Sequence, residues 1–218
     1  TKLKMLPNLN PFALESPGLL SIDKAVKSCK TVEHKSGFNP YQDNGGNVIA
    51  VAGKDFAVVA ADTRLSVGYS IISRNTSKVI KLTENCFYLS SGMYADLVAL
   101  TKYLKARITM YKFENNKEPS IDAIGHLVQQ ALYSKRFFPY YCWVVLAGLE
   151  EDGKGVVYEY DPVGTIEKLS YSGKGSASEL LAPSLDAVFK GYHQQEGFKI
   201  IPETPEETAE TLRDFFNA

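Results

Sequence analysis

The side chains best suited to chemistry in this chain are scattered. Its three histidines, His34, His126 and His193, lie far apart and share no motif with an acid or a hydroxyl. Spacing therefore gives no support to a metal site or a Ser/His/Asp grouping, although sequence distance alone does not decide against one. His126 falls among apolar residues of a predicted helix, the usual setting of a satisfied helix histidine. Cys29, Cys86 and Cys142 are odd in number, widely spaced and without a CxxC pattern, which predicts a reduced, intracellular setting. More telling is "DNGGNVIAVA", Asp43–Ala52, where two glycines precede a strand-like apolar run. Glycine at the head of a strand offers positive φ or close backbone approach but no side-chain chemistry.

Composition limits what could position these groups. The chain has 218 residues, 44% of them hydrophobic, enough for one core. A net charge of −1 with dispersed Lys and Arg argues against nucleic acid or an anionic membrane as the main partner. No apolar run reaches the roughly 18 residues of a membrane span. The opening "TKLKMLPNLNPF" lacks the apolar stretch of a secretory signal. Residues 1–45 differ from the rest: Pro7, Pro11, Pro17 and Pro40 punctuate them, with one short helical suggestion at Ser21–Ser28 capped by Ser21. They read as an N-terminal extension ahead of a domain spanning 46–218.

Within that domain, Asn47–Asp62 reads as a hairpin split by "GKD". Its two arms are nearly continuous in apolar residues, which predicts a sheet covered on both faces. Strands are predicted at Val79–Leu82 and Phe87–Ser90. A helix follows over Met93–Lys112, with Leu97, Leu100, Leu104, Ile108 and Tyr111 on one face. A second helix starts near Ser120 and ends before "RFFPYY", because Pro139 disfavours helix in the residue ahead of it. Those aromatics predict core or subunit-interface packing. Strands return at Trp143–Leu149 and Gly155–Tyr160, and "DPVG" turns into a strand near Thr165–Tyr171. Ser176–Tyr192 reads as a helix capped by Ser176 or Ser178, with Pro183 in its first turn or kinking it. Thr204–Phe216 has Thr204 as cap and Pro205 at the first helical position. The acidic "PETPEE", Pro202–Glu207, reads as a solvated helix start. Strand pairs followed by helices, twice over, indicate an α+β fold, and two stacked antiparallel sheets with helices outside would explain the doubly buried strands.

"FNPYQDNGGNVIAVAGKDFAVVAADTRLSVGYSI" and "LYSKRFFPYYCWVVLAGLEEDGKGVVYEYDPVG" resemble the β subunits of the 20S proteasome core. The resemblance runs from about Phe38 to about Leu185. "AADTR" marks the wider β family, whereas "RFFPYY" and "YDPVG" in that order resemble its non-catalytic type 1, the β6 position of the ring. The resemblance implies the four-layer αββα sandwich of N-terminal nucleophile hydrolases.

Active members of that family start, after processing, with a threonine whose hydroxyl attacks a peptide carbonyl while its freed α-amine serves as base. An alcohol is a weak nucleophile until a base accepts its proton, and an α-amine titrates near pH ~8. The family's spacing, counted back from Asp62 of "AADTR", puts this position at Gly46. Glycine has no hydroxyl, and a nitrogen still joined to Gly45 is an amide, so nucleophile and base are lost together. Asp62 matches the family's aspartate and Lys78 of "TSKVI" its lysine. Without a nucleophile these vestigial residues reduce to a structural ion pair. The serine of the family's "GSGS"-like loop aligns with Lys174 in "SGKGSAS", with Ser172 or Ser176 as shifted alternatives. An active reading would instead use Thr1, aided by Lys2 or Lys4, but a proline-punctuated segment follows Thr1 where a buried strand is needed.

The resemblance therefore implies a non-catalytic structural subunit of a threonine-type endopeptidase complex. It would contribute to ring assembly and to the chamber wall for ATP- and ubiquitin-linked protein degradation, in cytoplasm and nucleus. Its partners would be neighbouring β subunits, α-ring subunits and a β subunit of the opposite ring, with assembly chaperones as further candidates. No metal or organic cofactor is suggested. Family members continue beyond the last helix with further strands and helper residues, so the expectation is a longer natural chain. Residues 1–45 would then be a propeptide-like segment, retained because nothing at Gly46 can cut it away.

Overall fold

The computed structural model describes residues 39–190 and 204–217. Thr1, Lys2, Lys4, Cys29, His34, His193 and the helix predicted at Ser21–Ser28 lie outside the described residues. From Tyr41 onward the described residues belong to one compact unit.

Strand β1 (Asn47–Ala52) and β2 (Ala57–Ala61) form the expected hairpin, with Val48 opposite Ala61 and Ala52 opposite Ala57. A short hairpin follows, β3 (Leu65–Val67) with β4 (Ser70–Ser73), separate from the larger sheets. Next come β5 (Val79–Thr83) and β6 (Cys86–Gly92), then helices α1 (Tyr94–Asn115) and α2 (Ile121–Tyr133). The chain returns through β7 (Cys142–Leu149), β8 (Gly155–Tyr160), β9 (Ile166–Leu169) and β10 (Tyr171–Gly175). It ends in α3 (Ser178–Leu185), a π-helical turn at Asp186–Lys190, and α4 (Pro205–Asn217).

Two antiparallel sheets organise these elements: β10-β1-β2 and β5-β6-β7-β8-β9. Three cores separate four layers. Leu97, Leu100, Leu104 and Ile108 of α1 join Ile124 and Val128 of α2 against Tyr88, Val144 and Leu146 of the larger sheet. Val48 and Ala50 face Leu89, Val145, Ala147 and Val157 between the sheets. Ile49 and Val51 point the other way, onto Leu181, Leu185 and Leu212 of the outer helices. Alternate residues of β1 thus serve two different cores, which is why its sequence does not alternate. Burial of Val48, Ile49 and Val51 contributes about 1.5–3 kcal/mol each.

Local chemistry sets the helix ends. Ser120 Oγ accepts the Ala123 N–H at 3.3 Å, capping α2. Thr204 Oγ1 accepts the Glu207 N–H at 3.3 Å, with Pro205 at the first helical position of α4.

Two expectations need correction, and a third is narrowed. The strand read at Thr165–Tyr171 breaks at Ser170: β9 pairs with β8, whereas β10 pairs with β1 in the other sheet. The helix read over Ser176–Tyr192 has Ala177 at its cap without a side-chain bond, and its α-helical part stops at Leu185. Pro183 sits inside it, where it removes one i→i−4 hydrogen bond, and the wider π turn follows. The aromatics of "RFFPYY", expected in the core or a subunit interface, reach the core through Tyr140, whereas Phe137 is 99% and Phe138 65% exposed. Tyr41 packs beside them, its ring 5.6 Å from Phe138 and 5.4 Å from Tyr141.

Candidate active site

The head of β1 lies where three chain segments converge. Asn47, the first residue of β1, accepts the Asp62 N–H at 3.1 Å through its backbone oxygen. Asp62 Oδ1 in turn accepts the Asn47 N–H at 3.0 Å. This reciprocal pair fixes the Asp62 carboxylate beside Gly46. Lys78, one residue ahead of β5, reaches the same place from a separate segment.

Lys78 is 3% exposed and Asp62 26%. The ammonium donates to Asp62 Oδ1 at 2.9 Å, to the Asp62 carbonyl at 3.1 Å and to the Arg64 carbonyl at 2.6 Å. An ammonium has three protons, so all of its donor capacity is used. A buried cation is tolerated when paired and fully hydrogen-bonded, and both conditions hold here.

Gly46 adopts φ 91° and Gly45 φ 65°, the region that disfavours residues with a Cβ. A Cβ on Gly46 would lie 2.1 Å from Lys78 Cε, 2.8 Å from its Nζ and 3.0 Å from Asp62 Oδ1. The Lys78–Asp62 pair therefore occupies the space a side chain at position 46 would need.

Strand β10 closes the other side. Gly175 stands opposite Asn47, and the Ser176 N–H donates to the Gly46 carbonyl at 3.1 Å. Of the three residues that the "SGKGSAS" stretch offered, Ser176 borders Gly45 and Gly46. Lys174 turns to Glu159 at 2.5 Å, and Ser172 Oγ donates to the other Glu159 oxygen at 2.7 Å. His126 is on the solvent face of α2, its Nδ1 3.4 Å from Gln129 Oε1, far from this grouping in role.

Sequence reasoning missed Asn44. It is 8% exposed, and its side chain bonds both Ser66 and the start of α1. "DNGG" reads as turn composition, and nothing in it announces partners 22 and 50 residues away.

The profile of the family described as Proteasome subunit matches residues 42–213. The chain belongs to the proteasome subunit family. Among curated relatives it is similar to proteasome subunit beta type-1 of Danio rerio, 46% identical over 185 residues, covering 85% of this chain and 77% of that protein. It is also similar to proteasome subunit beta type-1 of Petunia hybrida, 48% identical over 158 residues, covering 72% and 71%. The Arabidopsis thaliana protein of the same name is 48% identical over 160 residues, covering 73% and 71%. The chain is thus a β-type subunit of the 20S proteasome, a protease complex, and its four layers are the αββα sandwich of the N-terminal nucleophile hydrolases.

Proposed function

We infer that this proteasome subunit is non-catalytic: it completes the β ring and forms chamber wall, while sibling subunits cleave the peptide bonds. The observation that carries the reading is Gly46. The residue beside the Lys78–Asp62 pair supplies no hydroxyl, and while it stays joined to Gly45 its nitrogen is an amide without basicity. The pair itself keeps its charges satisfied by one another and by two carbonyls, which is a structural role sufficient in itself.

A closed ring needs every position filled, and a member without chemistry still supplies interfaces. The exposed aromatics Phe137, Phe138 and Trp143 are the kind of surface a neighbouring subunit covers. The partners proposed are flanking β subunits, α-ring subunits and a β subunit of the opposite ring, in cytoplasm and nucleus, with residues 1–45 acting as a propeptide-like segment.

The test is to place Asp62→Asn or Lys78→Met in this subunit and assay purified particles of unchanged composition. Every peptidase activity, per assembled particle, is expected to match wild type. Selective loss of one activity overturns the reading.

A further inference from the structure

The segment just ahead of Gly46 is held more firmly than a loop entering a strand requires. The Asn44 N–H donates to the Gly92 carbonyl at 3.1 Å, at the end of β6, and its carbonyl accepts the Ser66 N–H at 3.2 Å, in β3. Its side-chain Nδ2 donates to the Ser66 carbonyl at 3.3 Å. Its Oδ1 accepts the Tyr94 N–H at 2.9 Å. Tyr94 opens α1, and the preceding Met93 provides no side-chain cap. Asn44 therefore caps a helix from a distant point of the chain, taking up a donor that would otherwise be orphaned. Around it, Asp43 Oδ1 accepts the Gly45 N–H at 2.8 Å, and the Gly46 carbonyl accepts the Ser176 N–H at 3.1 Å.

An extended peptide binds a strand-lined cleft by pairing with free backbone N–H and C=O groups. Here both backbone groups of Ser66 and the carbonyl of Gly92 are already engaged by Asn44. The geometry points to Asp43–Gly46 as a built-in occupant of the gap between β3 and the end of β6, beside the Lys78–Asp62 pair, anchored by Asn44 and excluding any extended peptide. This deepens the non-catalytic reading and rests on it, yet the two are separable: a missing hydroxyl stops chemistry, whereas an occupied cleft stops binding.

The experiment uses the assembled particle. Hydrogen exchange with fragment-level mass spectrometry is expected to show the Asn44, Ser66 and Tyr94 amides strongly protected. Asn44→Ala is expected to speed their exchange by at least about tenfold without changing β6 amides such as that of Leu89. Asn44→Asp keeps the side-chain acceptor for Tyr94 and the backbone acceptor for Ser66, so protection of both amides is expected to survive in it. An extended peptide carrying a photo-activated diazirine is expected to label the Asn44→Ala chain and to spare the wild type. Wild-type amides exchanging at free-chain rates overturn the proposal, as does a mature chain beginning at Gly46 or peptide labelling of the wild type. Should Asn44→Ala particles fail to assemble, wild-type exchange and intact mass still decide. Cleavage before Gly46 would remove the occupant and leave the missing hydroxyl untouched, which keeps this failure distinct from that of the non-catalytic reading.

Discussion

The Lys78 side chain stands where a side chain on Gly46 would begin: its Cε is 2.1 Å from the position of a Cβ there. Position 46 therefore has no room for a side chain while Lys78 keeps its place. Because Lys78 is buried and bonded to three acceptors, it cannot swing aside without breaking them. Gly46→Ala is expected to destabilise the chain by about 1–3 kcal/mol, from overlap and from its positive φ. Urea unfolding measures it. In a Lys78→Ala background the same substitution is expected to cost less, and equal costs in both backgrounds would show that the two residues do not compete.

The ion pair is asymmetric, and so are its mutants. Removing Asp62 strands an almost fully buried ammonium and frees the Asn47 N–H, for an expected loss of about 3–5 kcal/mol in Asp62→Ala. Removing Lys78 leaves a carboxylate that water partly reaches, for an expected loss of about 1–3 kcal/mol in Lys78→Ala. Denaturant midpoints of the two variants check this, and the reverse order would contradict the assigned burial.

Much of the fold could be read ahead of the structure, for physical reasons. The run Val48–Val51 declared burial on both faces because it lacks alternation, and two cores receive its alternate residues. Thr204 was legible as a cap, and a helix start near Ser120 was legible too, because helix starts are set locally. Elements set by tertiary pairing were not. Leu65–Ser73 has no apolar run to mark β3 and β4, and Ser170 carries no sign that the chain changes sheets there. At the site, family spacing indicated Gly46, Asp62 and Lys78. The carbonyls that share the ammonium, the choice of Ser176 among three candidates, and the reach of Asn44 depend on register and long-range approach.

Cys86 and Cys142 offer a pH test. Burial pushes both thiols up from 9.0 to about 12. The folded state then holds protons that the unfolded chain releases, so this stabilisation is full below pH 9 and is lost as pH rises from 9 toward 12. At pH 8 neither thiol is expected to react with an alkylating agent until urea unfolds the protein. Labelling of either in the native state would contradict the burial.

Capping is testable at α2. Ser120→Ala removes the acceptor of the Ala123 N–H and is expected to cost about 1 kcal/mol by urea unfolding. No measurable loss would mean that water replaces the bond.

The exposed rings of Phe137 and Phe138 should matter to assembly more than to folding. Phe137→Ser alone is expected to leave the stability of the isolated chain within about 0.5 kcal/mol, as for surface positions, and replacing both rings by serine to reduce its incorporation into particles. Normal incorporation would remove these rings from the interface.

The most direct measurement is the intact mass of every subunit after a purified particle is treated with an active-site-directed electrophile. Adducts are expected on sibling subunits, with this chain unmodified. An adduct on this chain, mapped to a terminal threonine or serine docked against Lys78, would contradict the account.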